Sequence, residues 1–423
     1  MSEPDVSLLF TVAQAIAVLD ATPVTPRTAS VLLSNSLGLR LAEDLYADRD
    51  YPPFDKSLMD GYAVRVVDLA ELATGSPHIE LRVTAEIAAG AQASRPVLAG
   101  EAHAIMTGAP IPTGADGIVP VEETLRVNQT TGAADANGNI VRIFRATSPG
   151  RYISMRGADL QAGRAVLTRG VMMGPAQIAA AAMVGAVNPL CYARPRVAVL
   201  STGDEIVPAD QAPGPAQIRN SNSPMLIALL TKLGCEVIDL GIVRDEPAIL
   251  RAALLRGVSE FEALFVTGGM SMGTYDFVPR LLAEIGVEAR VTKLRIKPGK
   301  PFLFGTFPRA GGMSYVFGLP GNPVSGFVCT VRLASRIIQR LSGGAVVEKW
   351  VSASLAEALP ANGPREFYQP VALEVTAERT IARPLAWKGS ADLFTLAQAQ
   401  GLLARPENAK ALAAGEMVRV LEI

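Results

Sequence analysis

EALFVTGGMSMGTYD, residues Glu262 to Asp276, takes an apolar strand pattern directly into a loop with three glycines and on towards a helix. Three further stretches have the same texture: RVAVLSTGDE (Arg196 to Glu205), RIKPGKPFLFG (Arg295 to Gly305) and YVFGLPGNPVSGF (Tyr315 to Phe327). Each is expected to end a buried strand with a loop of Gly, Pro, Ser and charged side chains. In an open α/β sheet the carboxyl ends of parallel strands share one edge, so the four loops should converge on one crevice. Backbone N–H groups, lysines and carboxylates meeting there suit a phosphate-bearing ligand.

Outward from these loops the alternation continues. The pattern predicts helix over 175–185, strand 196–201, helix 222–233, strand 235–240, helix 247–257, strand 263–267 and helix 277–285. Strands near 289–296, 301–306 and 315–318 and a helix over 323–342 follow. Repeated strand, crossover, strand units imply a doubly wound, largely parallel α/β domain. Residues 6–20 place Leu9, Val12, Ile16 and Leu19 at helical spacing. From Val31 to about Leu167, short alternating runs broken by Gly and Pro read as a mostly-β region, with TTGAADANGN (Thr130 to Asn139) as a solvated hairpin tip. VSASLAEAL, REFYQPVALEV and GEMVRVLEI read as strands of a small separate β domain at the carboxyl terminus. The expected division is 1–54 with 146–173 as an N-terminal helix and linking region, 55–145 as a mostly-β domain, 174–342 as the α/β domain and 343–423 as the C-terminal β domain.

Composition narrows the function classes. With 39 basic and 40 acidic side chains interspersed among 423 residues, no basic field advertises a nucleic acid or an anionic membrane. The longest apolar run, Ile178 to Val187, is too short for a bilayer span, which takes about 20 residues. The segment MSEPDVSLLF has acids where an export signal has basic residues, so a cytoplasmic protein is expected. Three dispersed cysteines, Cys191, Cys235 and Cys329, read as buried thiols in a reducing compartment. Two histidines, His78 and His103, cannot build a histidine-rich metal centre. Any cation would then take oxygen ligands, as Mg2+ does. A small-molecule partner fits best.

The loop Thr267 to Gly273 lets the backbone approach a ligand closely at Gly268 and Gly269, with Ser271 beside them. A tight turn without a ligand is the alternative. The loop also contains a G-x-S-x-G match centred on Ser271, but a nucleophile elbow needs an acid and then a histidine after the serine, and both histidines precede it. Lys297, Pro298, Gly299, Lys300 and Pro301 set two cations in a proline-bounded turn, suited to an oxyanion or to solvent. Gly318 to Ser325 ends a strand with Pro320 and Pro323 and opens a helix, where Ser325 and its N–H neighbours would grip an anion. Glu205, Asp245 and Asp276 follow strands on the same edge, and carboxylates beside a polyanion imply an intervening cation. Asp204 reads as a cap. In the β region, Pro52 to Val64 and Met106 to Glu123 mix acids, a cation, hydroxyls and glycines as functional loops do, including Asp60, Thr107, Asp116 and Glu122.

Taken together, PPFDKSLMDGYAV, MTGAPIPTGAD, STGDE, GIVRDEP, TGGMSMGTYD, IKPGKP and GLPGNPVS resemble, in order and over nearly the whole chain, the MoeA family of molybdopterin molybdenumtransferases, to which the E domain of gephyrin is related. The resemblance implies conversion of adenylylated molybdopterin and molybdate to molybdenum cofactor and AMP, with a divalent cation. It implies a homodimer whose site lies between the α/β domain of one subunit and the β region of the other. It implies transient contact with the adenylyltransferase that supplies the substrate and with molybdoenzyme acceptors. Carried onto matching positions, it implies roles for Asp60, Thr107, Glu205, Asp245, Asp276, Lys293, Lys297, Lys300, Pro320, Pro323 and Ser325. Lys297, Lys300 and Ser325 would hold molybdate, Glu205, Asp245 and Asp276 would position Mg2+, and Asp60 would orient the attacking water or oxyanion. Lys56 and Leu58 depart from the family's common Asn and Ala, and Lys56 is expected to face solvent. A non-catalytic pterin-binding scaffold is the second reading. The related adenylyltransferase is a third, and the β region argues against it.

Overall fold

The computed structural model describes residues 9–128, 139–270 and 277–423. They form two compact units, one of Met1–Glu43, Arg169–Pro175 and Asn188–Ile423, the other of Asp44–Thr168 and Ala176–Val187. The expected hairpin tip at 130–139 lies outside the described residues except for Asn139.

The first helix, α1 (Val12–Ala21), begins later than the periodicity predicts. Thr11 and Gln14 form a capping box: the Gln14 N–H donates to Thr11 Oγ1 (3.1 Å) and the Thr11 N–H to Gln14 Oε1 (2.9 Å). These bonds satisfy the first free N–H groups and fix the start at Val12. Leu9 precedes the helix, and residues 6–8 lie outside the described part.

In the second unit, six strands build one sheet: β1 (Gly61–Val64), β2 (Ile79–Ile87), β3 (Glu101–Ile105), β4 (Gly117–Pro120), β5 (Thr124–Asn128) and β6 (Asn139–Ile143). Their order is β4-β1-β3-β2-β6-β5, with only the β2–β3 pair parallel. Alternation divides the apolar residues between faces, Tyr62, Val64, Ala102 and Val119 on one and Ala63, Ile105 and Ile118 on the other. Helix α2 (Pro175–Met183) matches its expectation.

The α/β domain runs β7 (Arg196–Thr202), α3 (Asn222–Lys232), β8 (Glu236–Val243), α4 (Pro247–Glu260), β9 (Ala263–Thr267), α5 (Val278–Glu284), β10 (Glu288–Thr292), β11 (Ile296–Lys297), β12 (Leu303–Arg309), β13 (Gly312–Leu319), α6 (Pro323–Cys329) and α7 (Ser335–Leu341). The sheet order is β8-β7-β9-β13-β12-β10. Strands β8, β7, β9 and β13 are parallel, and β12 and β10 are antiparallel to their neighbours. Val197, Val199, Phe265 and Phe317 pack under α1, α3 and α7, while Ala198, Leu200, Leu264 and Val266 pack under α4 and α5. Two-sided cover explains why these strands read as continuous apolar runs.

Two expected elements break. The single strand expected over 289–296 becomes β10 and β11, because Lys293 has φ 56°, which ends an extended run. The single helix expected over 323–342 is interrupted by a π turn at Thr330–Ala334. There the Thr330 hydroxyl donates to Gly326 O (2.8 Å) and the Ser335 hydroxyl to Val331 O (2.6 Å), competing with the helical ladder.

The C-terminal strands β14 (Trp350–Leu355), β15 (Glu366–Val375), β16 (Thr380–Pro384), β17 (Gly401–Arg405) and β18 (Met417–Glu422) follow the order β15-β16-β14-β18-β17, and β17 pairs back onto β15. The sheet therefore closes into a barrel around Leu355, Val371, Leu403 and Val420. A short helix, α8 (Leu393–Leu396), precedes β17. Strand β11, from the α/β segment, adds to β15 in parallel.

Candidate functional site

The parallel strands β7, β9 and β13 end side by side, with Ser201 opposite Thr267 and Thr267 opposite Leu319. Their following loops carry Gly203 to Glu205, Gly268 and Gly269, and Pro320 to Ser325, so three of the predicted segments reach one edge. Asp245 joins them after β8, whose Val243 pairs with Thr202. The fourth segment arrives differently from expectation. Strand β12 runs antiparallel, and Leu303 at its start pairs with Gly318 at the end of β13. The Lys297 to Pro301 loop therefore precedes its strand and still meets the same edge, and Lys293 does so after β10, where Thr292 pairs with Leu303.

Buried polar groups fix this edge. Ser201 Oγ lies 2.9 Å from Ser223 Oγ and 3.0 Å from Thr267 Oγ1, and the Asn220 amide donates to Ser201 Oγ (3.2 Å) and Ser223 Oγ (3.0 Å). The Thr202 hydroxyl donates to Asp245 Oδ1, and the Asp245 N–H reaches Asp204 Oδ1 (3.4 Å). Asp204, expected as a cap, instead ties the loop before α4, whose own N-terminus has no side-chain cap. The sequence signal missed for this network is the Ser and Thr closing the apolar runs VAVLST and ALFVT. Gly268 is required by space as well as by φ +90°: a Cβ there would sit 2.1 Å from the Thr202 carbonyl oxygen. Ser271 and Asp276 lie outside the described residues.

The Pro320 to Ser325 turn is tied on both sides. The Asn222 amide donates to Gly321 O (2.7 Å), the Asn322 amide to Ser390 Oγ (3.0 Å), and the Val324 N–H to Ser390 O (3.2 Å). The N–H groups of Ser325 and Gly326 both donate to Asn322 O (3.1 and 3.2 Å). The neighbouring N–H groups expected to grip an anion are spent inside the protein, because Pro323 at the first helical position turns the chain back on Asn322. Any grip at Ser325 falls to its hydroxyl. Ser390 was missed because it lies 65 residues downstream of Ser325 in a loop with no motif of its own.

Lys297 is exposed and Lys300 and Lys293 are half-buried. The Lys297 Nζ lies 4.8 Å from the centre of the Phe367 ring. The Lys300 carbonyl accepts from the N–H groups of Leu294 and Phe302, each at 2.9 Å, which closes the loop on itself.

In the second unit, Asp60 and Thr107 meet. The Thr107 N–H (2.6 Å) and hydroxyl (2.8 Å) both donate to Asp60 Oδ1, while Oδ2 has no partner among the described residues. The backbone bond from Thr107, then its hydroxyl, holds the carboxyl below the ordinary aspartate range, so the exposed group stays ionised. Gly61 follows because a Cβ there would stand 2.1 Å from Val119 O. Asp116 instead accepts from the Val66 N–H (2.7 Å), a structural role. Lys56 is half-buried and Leu58 half-exposed.

Models of known families match three consecutive parts of the chain: the MoeA N-terminal region (domain I and II) at residues 10–185, a probable molybdopterin binding domain at 198–340, and the MoeA C-terminal region (domain IV) at 352–423. A protein of Nostoc sp. named molybdopterin molybdenumtransferase is 34% identical over 391 residues, covering 91% of this chain and 86% of that one. A Staphylococcus aureus protein of the same name is 31% identical over 397 residues, covering 93% and 90%. A crystal structure of a molybdopterin biosynthesis MoeA protein from Pyrococcus horikoshii gives a TM-score of 0.82 at 30% identity, covering 98% of this chain and 99% of that one. No helix among the described residues is long and apolar enough to cross a membrane.

Proposed function

This chain belongs to the MoeA family of molybdopterin molybdenumtransferases, and we propose that it inserts molybdate into adenylylated molybdopterin, forming molybdenum cofactor and releasing AMP. The observation that carries the reading is the meeting at one sheet edge of Gly268 and Gly269, the Lys297 to Lys300 loop, the Pro320 to Ser325 turn and Asp245. Two lysine ammonium groups with the Ser325 hydroxyl suit a tetrahedral dianion. Lys293 adds a third cation for the phosphates, and Pro320 and Pro323 keep the turn's shape at low entropic cost. Asp60, ionised and fixed through one oxygen by Thr107, presents its other oxygen to orient the water or oxyanion that attacks the pyrophosphate link.

Mg2+ belongs to the same reading. Among the described residues no group of three or more His, Cys, Asp or Glu is set to hold a metal. The oxygen donors at the edge nevertheless fit Mg2+, which takes one or two protein carboxylates and completes its shell with water and substrate phosphates. Glu205 and Asp245 would hold it, with Asp276 from outside the described residues. When bound it neutralises charge on the phosphate link. We also take the protein to be a cytoplasmic homodimer, with residues 1–54 and 146–173 as the linking region. A monomer in sedimentation would overturn that part.

Molybdate-dependent AMP release, measured with Mg2+ and with a chelator, tests the reaction. Release that needs both molybdate and the metal is expected. Tight pterin binding without AMP release would move the protein to the scaffold class.

A further inference from the structure

The C-terminal barrel touches two of the anion loops at once. Strand β11 pairs with β15 so that Ile296 faces Glu366 and Lys297 faces Phe367, and the Glu366 N–H donates to Arg295 O (2.9 Å). Side chains directly opposite on paired strands are neighbours. The Lys297 ammonium accordingly stands 4.8 Å from the centre of the Phe367 ring. Phe367 is itself stacked by Trp387, with centroids 5.4 Å apart and planes at 29°. Three residues past Trp387, Ser390 accepts from the Asn322 amide and the Val324 N–H of the Pro320 to Ser325 turn.

The Trp387 indole N–H is buried and has no hydrogen-bond partner among the described residues. What the ring does supply is its face, stacked on Phe367. The partner chosen for Lys297 has a physical logic. A carboxylate would fix the ammonium but cancel its charge and repel an incoming oxyanion. An aromatic face orients the cation through its quadrupole and leaves the charge and its N–H donors for a ligand.

We propose that Phe367 and Trp387 are positioning residues that hold the Lys297 ammonium ready for the oxyanion, making the barrel a working wall of the molybdate site. This rests on the reading above that Lys297 binds molybdate. The test is a double-mutant cycle on the full chain with inorganic molybdate as the probe, reading Kd by calorimetry, KM for molybdate and kcat from AMP release, and Tm. Phe367→Leu should raise Kd and KM about fivefold, equivalent to about 1 kcal/mol, with kcat within about twofold. Phe367→Tyr should restore both. In a Lys297→Met background, Phe367→Leu should add nothing.

A rise of equal size in both backgrounds, or no rise, would overturn the positioning role. If Lys297→Met itself left Kd unchanged, the assignment of Lys297 to molybdate would fall and this proposal with it. If no AMP were released but the Kd cycle held, the reaction would fall and the positioning would stand. Should Phe367→Leu not fold, Trp387→Leu runs the same cycle with the same outcomes.

Discussion

Two carboxylates of the N-terminal β unit are both held below their ordinary range, by opposite means. Glu101 is 2% exposed, and burial pushes its pKa up, but Arg82 (2.7 Å), the Leu98 N–H (3.3 Å) and Arg95 (2.7 Å) outweigh that. Asp60 is exposed, and neutral donors of Thr107 do the work, with no ion pair to it among the described residues. Glu101 has its charge cancelled twice, whereas Asp60 keeps a whole negative charge facing outward. A depressed pKa therefore does not by itself mark a reactive group. The role proposed for Asp60 rests instead on its uncompensated charge.

The largest effect should come from the exposed member. Asp60→Asn keeps the shape but removes the charge, and AMP release should fall by about two orders of magnitude or more with Tm unchanged. Retained activity would take Asp60 out of the site and erase the distinction. The buried member should respond in the opposite way. Glu101→Ala strands two arginines that are 50% and 39% exposed and can partly rehydrate, so we expect a loss of about 2–3 kcal/mol in denaturant unfolding. Activity per folded molecule should hold. A drop in activity at full stability would reverse the comparison.

His103, two residues along the same strand, sharpens it further. It is fully buried, neither ring nitrogen has a partner among the described residues, and burial followed by the charge of Arg95 lowers its pKa, with Glu101 opposing. With the folded value lowered, the unfolded chain takes up the proton first as the pH falls. Stability is therefore complete above about pH 6.5, the unfolded value, and is lost as the pH falls from there through the folded value. The contribution of Glu101 begins to be lost at lower pH, as the pH falls from about 4.3 through its folded value. Urea midpoints should drop between pH 7.5 and 5.5 and stay flat in His103→Phe, about which the same measurement decides. The smallest effect is expected at Asn222. Removing its bond to Gly321 in Asn222→Ala also removes a buried Oδ1 with no partner among the described residues, so the loss of stability should be about 1 kcal/mol or less.

Local patterns carried much of the fold. Apolar runs such as ALFV and VAVLST, bounded by Gly and Pro, were legible as strands because burial on both faces leaves no alternation to misread. The edge loops were legible because Gly, Pro and charge cluster beside apolar strand runs there. What stayed hidden depends on partners far away in sequence. No pattern in RIKPGKPFLFG announces that its strand runs antiparallel, that Lys293 breaks the preceding strand, or that Ile296 and Lys297 pair with Glu366 and Phe367. The same holds for Ser390 and for the barrel closure of β17 onto β15. The capping box at Thr11 was readable in principle, since Thr and Gln stand at the required spacing.

Helix α1 depends on partners far downstream in the chain. Arg336 pairs with Asp20 across 316 positions, and Arg340 donates to Leu19 O and Thr22 O across 321 and 318. A ten-residue helix is marginal alone in water. At about 5–20 residues per second, ribosomal synthesis would leave its apolar stripe of Val12, Ala15 and Leu19 without a home for roughly 15–60 s. The nascent chain therefore carries an exposed apolar stripe until α7 has left the ribosome, a window open to chaperones that closes when Arg336 and Arg340 reach α1.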